Sequence, residues 1–147
     1  MRRWLVTLAA AVIFTAPAQT QAALGDHLAS VEIDRSRMQA AAVVRNAPLY
    51  TVHELTTPYN TLIREYVAAD VVFAVTWQGP YQPDLTQLLG SYVDTYRNAP
   101  RGPSSRTRSS VEQPNLIVRI NGHMRAFSGI AYDPQLLPAS VSIDEIQ

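Results

Sequence analysis

The sequence predicts an α+β domain. It expects a single antiparallel sheet of about five strands, laid out as a three-stranded meander, a helix and then a hairpin. One amphipathic helix packs on a face of that sheet, and a further helix stands at the N-terminus. Three observations carry this. Residues 49–57, 60–67 and 71–77 are strand-like runs separated by turn residues. Residues 84–97 then place Leu85, Leu88, Leu89, Tyr92, Val93 and Tyr96 at i, i+3, i+4, i+7, i+8 and i+11, one continuous apolar stripe. Further on, Asn121-Gly122 joins two short apolar alternations, the strongest local hairpin signal.

Residues 1–22 read as a secretory signal peptide. Arg2 and Arg3 precede a short apolar run, 4–14, too short to span a bilayer. Thr20 and Ala22 offer small residues at a cleavage site before Ala23. The exported domain is then 23–147, a length suited to one core. Nearly half the chain is apolar (47%) and only 16% is charged, as in a globular rather than a disordered chain. Every one of the 12 basic residues is Arg. Without Arg2 and Arg3, 10 arginines face 12 acids, a balance that argues against nucleic-acid binding. The chain has no cysteine, which excludes disulfides and thiol catalysis and predicts no lipid anchor. No later stretch is apolar enough for a membrane-spanning helix.

Residues 23–44 read as a weak amphipathic helix, with Leu28, Val31, Met38 and Ala42 on one face and Ser30 as a capping candidate. Asp34, Arg35 and Arg37 are expected to face solvent. Asn46-Ala47-Pro48 ends the segment. In the meander, Pro58-Tyr59-Asn60 and Ala68-Ala69-Asp70 each fit a three-residue loop closed by a left-handed residue, which Asn and Asp tolerate. That geometry pairs Thr57 with Thr61 and Val67 with Val71. It also sets Glu54 opposite Arg64, and Arg64 opposite Ala74. Residues 71–77 are apolar on both faces apart from Thr76, which places this strand centrally.

The helix should cover the face bearing Leu55, Ile63, Val67, Val71, Phe73, Val75 and Trp77. On that face the register sets His53 opposite Glu65, with Phe73 beside Glu65. A polar pair in an apolar field is the chemical oddity of the chain, and it supplies the weak catalytic candidates His53 and Glu65. Residues 101–113 are polar and rich in Ser, Pro and Arg, and read as a long loop. Arg101, Arg106 and Arg108, together with Trp77, are the candidate binding residues. In the late hairpin Leu116, Val118 and Ile120 share a face with Phe127 across from Leu116, and Gly129 marks a bulge or a close approach. The tail beyond Pro134 has no clear period and reads as irregular. No metal-ligand cluster, phosphate loop or cofactor motif is present in the sequence.

The runs Arg64-Glu65-Tyr66-Val67, Val72-Phe73-Ala74-Val75 and Trp77-Gln78-Gly79-Pro80 resemble an exported proteobacterial family catalogued as domain of unknown function 2844. So do Pro83-Asp84-Leu85, Leu88-Leu89-Gly90, Met124-Arg125-Ala126-Phe127 and the mature start Ala23-Leu24-Gly25. Asn60 and Asp70 stand where that family usually has Gly. The resemblance spans nearly the whole mature chain. It implies an exported protein and supplies no activity, cofactor or catalytic residue.

The leading functional expectation is therefore a non-catalytic periplasmic binding or assembly module, its partner another exported envelope protein. A free sheet edge or an exposed apolar strip would support it. A hydrolase or lyase using His53 and Glu65 would need both in one pocket, and an anion or envelope-polymer binder would use the arginines.

Overall fold

Strand Val71–Gly79 is the middle of the sheet, as its two apolar faces predict. The computed structural model describes residues 24–102, 105 and 107–146. The predicted leader and Arg106 lie outside the described residues. Numbered in chain order, the strands are β1 Ala41–Asn46, β2 Thr51–Thr56, β3 Leu62–Ala68, β4 Val71–Gly79, β5 Arg108–Gln113, β6 Leu116–His123 and β7 Ala126–Tyr132. They form one antiparallel sheet in the order β1-β2-β3-β4-β7-β6-β5. Two meanders meet at the β4–β7 seam, and β1 and β5 are the edges.

Seven strands replace the expected five, so the fold is β-rich. Both additions are edges, and each was hidden for a physical reason. Residues 41–44, Ala-Ala-Val-Val, extend an apparent helical stripe, yet helix α1 spans only Ala29–Arg37. Gln39 turns left-handed (φ 51°) and ends it. Ala41 then pairs with Thr56, and the strand continues to Asn46 opposite Thr51. Residues 108–113 carry no apolar period, but each pairs with a residue of β6. Their extended state comes from a neighbouring strand's hydrogen bonds rather than from their own side chains.

The first hairpin has the expected three-residue loop. Asn60 is left-handed (φ 59°), and Thr57 N–H donates to the Thr61 carbonyl at 3.0 Å. Glu54 sits opposite Arg64 as predicted, and its carboxylate also receives Arg45. The second hairpin differs. Ala69 (φ 48°) and Asp70 (φ 66°) are both left-handed, which makes a two-residue turn that pairs Ala68 with Val71. The register shifts again between Tyr66 and Val67, where Phe73 is the extra residue of a bulge. Arg64 therefore faces Thr76 rather than Ala74, and Glu65 faces Val75. The bulge also moves Phe73 to the opposite side, beside Ala74, and Val72 takes the place under the helices expected for Val71, while Val75 and Trp77 stay there.

Asn121-Gly122 is not the late turn. It continues β6, pairing with Ser128 and Phe127, and the chain reverses at Met124-Arg125 with Arg125 left-handed (φ 57°). Gly122 instead makes room for a ring: a Cβ there would stand 2.9 Å from Phe127 Cδ1. Phe127 thus lies across from Gly122, and Leu116 pairs with Gln113.

The predicted helix over 84–97 is an interrupted one. Asp84 caps α2, Leu85–Leu89, by accepting the Thr86 N–H at 2.8 Å. Gly90, with φ 46° and ψ −118°, breaks the axis, and a single 3-10 turn leads into α3, Val93–Asn98. The stripe nevertheless does what its spacing implies. Leu88 and Leu89 are buried, and Leu85, Tyr92, Val93 and Tyr96 pack against the same cluster as Leu55, Ile63 and Trp77. Leu24 is buried there too, its N–H bonded to the Leu88 carbonyl. The tail has a role its sequence did not announce. Leu137, Val141, Ile143 and Ile146 cover Tyr66, Phe73 and Tyr132 on the second face. Tyr92 OH donates to Asp133 Oδ2 at 2.6 Å, tying the helical layer to the end of β7.

Candidate functional site

Glu65 on β3 and Asp34 on α1 form a buried carboxyl pair between helix and sheet, 1% and 0% exposed. The two carboxyls lie close enough that each shifts the other's titration, and Gln87 of α2 donates its Nε2–H to Asp34 Oδ1. Asp34 Oδ2 and both Glu65 oxygens have no hydrogen-bond donor facing them. Three orphaned buried acceptors would be costly if both acids were ionised. One proton held between them removes the conflict, with Glu65 as donor and Asp34 as acceptor. Burial is the largest influence on each. It pushes Glu65 up to about 9, helped by the charge and hydrogen bond of Asp34. It pushes Asp34 up to about 6 against the hydrogen bonds from Gln87 and Glu65.

His53 stands opposite Glu65 in the strand ladder, as expected. The side chains do not engage each other. His53 is half-buried, its Nε2 lies 3.4 Å from Thr51 Oγ1, and burial alone lowers its pKa. Glu65 points away into α1. Asp34 was expected to face solvent, yet Val31, Asp34 and Met38 fall at i, i+3 and i+7, all on the packed face. That spacing was the available signal for Asp34, and nothing in the sequence marked Gln87.

The other candidates lie apart. Trp77 is a core residue, 2% exposed, packed against Gly129 and with no hydrogen-bond partner at Nε1. Arg101 stacks over the Tyr96 ring, 4.3 Å from its centroid. Arg108 opens β5 and lines a cleft of about 270 Å³ that Tyr96 also lines. Arg106 falls outside the described residues. Among the described residues no group of three or more His, Asp and Glu side chains could hold a metal ion, and no helix is long and apolar enough to cross a membrane.

The two sheet edges are unlike. On the β5 side, Gly102 N–H bonds the Ser110 carbonyl and Ser105 N–H bonds that of Arg108. β1 is exposed at all six positions, with Val43 and Val44 each 54% exposed. Among the described residues no backbone hydrogen bond outside the β1–β2 ladder reaches it.

Fold and site together define a β-rich domain on one open antiparallel sheet, with a sealed acid pair and one edge that no described residue covers. The chain belongs to the family described as protein of unknown function (DUF2844), whose model matches residues 20–146. No curated protein and no solved structure matches it.

Proposed function

We propose that this protein is an exported, non-catalytic binding module of the cell envelope, and that it docks an extended segment of a partner envelope protein along β1. The observation that carries this is the free edge. Edge strands are commonly blunted by proline, lysine, bulges or a covering loop. β1 has no proline, lysine or bulge, no described loop covers it, and its one charge, Arg45, is paired with Glu54 of β2. It presents two half-exposed valines where β5 presents Arg, Ser, Glu and Gln. A partner strand there would gain main-chain hydrogen bonds from the edge and side-chain contacts at Val43 and Val44. The sealing of Asp34 and Glu65 supports a structural rather than a catalytic use of the acid pair, since a substrate would have to displace α1 to reach them.

The test is a photo-reactive residue at position 43, with position 112 on β5 as control, in cells of the native host. A discrete crosslinked partner is expected at 43 and not at 112. Val43→Lys combined with Val44→Lys should abolish the crosslink at a neighbouring edge position. Both residues are exposed, so stability should change by only about 0.5 kcal/mol. Equal crosslinking at both edges, or none at 43, would refute edge docking. Export is tested separately by intact mass of the protein from a periplasmic extract, which is expected to correspond to a chain beginning at Ala23. A mass including Met1 would contradict the leader.

A further inference from the structure

A second surface lies where three loops meet: the C-terminal end of α1, the β2–β3 turn and the β4–α2 loop. They enclose a cleft of about 360 Å³, within the size range of small-molecule sites. We propose that this cleft binds an uncharged saccharide chain.

Its walls are held in place. Thr61 N–H donates to Thr57 Oγ1 and Thr61 Oγ1 donates to the Tyr81 carbonyl, both at 3.1 Å, so the turn carrying Tyr59 is tied to the loop carrying Tyr81. Pro58 and Pro83 restrict the same two loops, and Asp84 is fixed as the α2 cap. A site built this way has little left to order when a ligand arrives.

Its chemistry is aromatic and amide. Tyr59 and Tyr81 are 72% and 56% exposed, and their rings meet edge to face with centroids 6.0 Å apart. Neither phenol oxygen is hydrogen-bonded to a described residue, and neither are the amides of Gln39 and Gln82, which line the same cleft. The third amide, Gln87, spends its Nε2–H on Asp34, which leaves Oε1 as its free acceptor. The charged residues of the lining are Arg37 and Asp84, of opposite sign, so the cleft has no formal net charge with which to select an acid or a base.

Exposed tyrosine faces suit the C–H faces of pyranose rings. Planar amides, each carrying donors and an acceptor, suit neighbouring hydroxyls. A proline-rich peptide would also use the tyrosines. Its prolines carry no N–H, however, and would leave the acceptor sides of the three amides unused.

The experiment is calorimetric titration of the mature protein with maltotetraose, cellotetraose and tetra-N-acetylchitotetraose, each to about 10 mM, with decaproline as comparator. At least one tetrasaccharide is expected to bind and decaproline is not. Tyr81→Ala should weaken binding about tenfold at an unchanged melting temperature, and Gln82→Ala by a smaller factor. The double lysine variant of β1 should bind as the wild type does, which separates this site from the edge. Failure of all three sugars to bind, an affinity indifferent to both Tyr81→Ala and Tyr59→Ala, or preferential binding of decaproline would each overturn the proposal.

Discussion

Glu65→Gln is expected to stabilise the protein at pH 8, and its advantage over the wild type should grow as the pH rises. The cause is the burial of the Glu65 carboxyl, reinforced by Asp34, with which it shares a proton. An acid whose pKa is raised in the folded chain keeps its proton after the unfolded chain has released it. Its contribution is complete below the ordinary carboxylate range and is lost as the pH rises through the folded value. For Asp34 that window runs from 3.8 to about 6, and for Glu65 from 4.5 to about 9. Between pH 6 and 8 only Glu65 is still losing its contribution, at about 1.4 kcal/mol per pH unit. The wild type should therefore lose roughly 3 kcal/mol over those two units relative to Glu65→Gln.

Glutamine at 65 remains neutral and can donate to Asp34 at any pH. Denaturant melts of both proteins at pH 6, 7 and 8 measure the difference directly. Parallel pH profiles would sink the shared proton. Asp34→Asn should flatten the profile only in part, because burial of Glu65 remains. His53→Ala should leave it unchanged above about pH 7, where a histidine of lowered pKa is neutral in both states and His53 is no partner of Glu65.

Gly129→Ala is expected to be among the most damaging single-methyl additions in the chain. β7 passes directly over the Trp77 indole. A Cβ at 129 would stand 2.2 Å from Trp77 Cζ2 and 2.9 Å from the Arg119 carbonyl. Trp77 is fully enclosed, and the carbonyl is backbone, so neither can yield without moving a central strand. Overpacking of this kind costs about 2–4 kcal/mol. Trp77→Phe removes the offending ring edge, so the double variant should recover about 1 kcal/mol or more relative to the sum of the two singles. A Gly129→Ala protein that melts within about 2 °C of the wild type would show that the strand gives way cheaply.

Several features could be read from local chemistry because neighbours in sequence set them. The position of β4 follows from the run 71–77, apolar on both faces apart from Thr76. The helical cover follows from the spacing of Leu85 to Tyr96, and the loop before β3 from Asn60, whose short side chain accepts a positive φ. Given that loop, the register of His53 against Glu65 is a matter of counting. Gly129 was legible as a close approach, though not what approaches it.

Other features depended on residues that meet only when the sheet assembles. β1 and β5 are strands because β2 and β6 offer them a ladder, and neither shows the period that would announce it. Met124-Arg125 prevails over Asn121-Gly122 because β6 needs two more residues to pair with β7, and Phe127 needs the space above Gly122. The bulge at Phe73 sends one aromatic ring to the far face, where an aperiodic tail supplies its cover. Asp34 meets Glu65 because α1 is laid across the sheet beside α2, so the partner of the most perturbed acid comes from another element. Periodicity specifies which face of an element is buried. It does not specify which buried groups face each other, because that depends on how two elements cross, and the crossing is set by packing throughout the core.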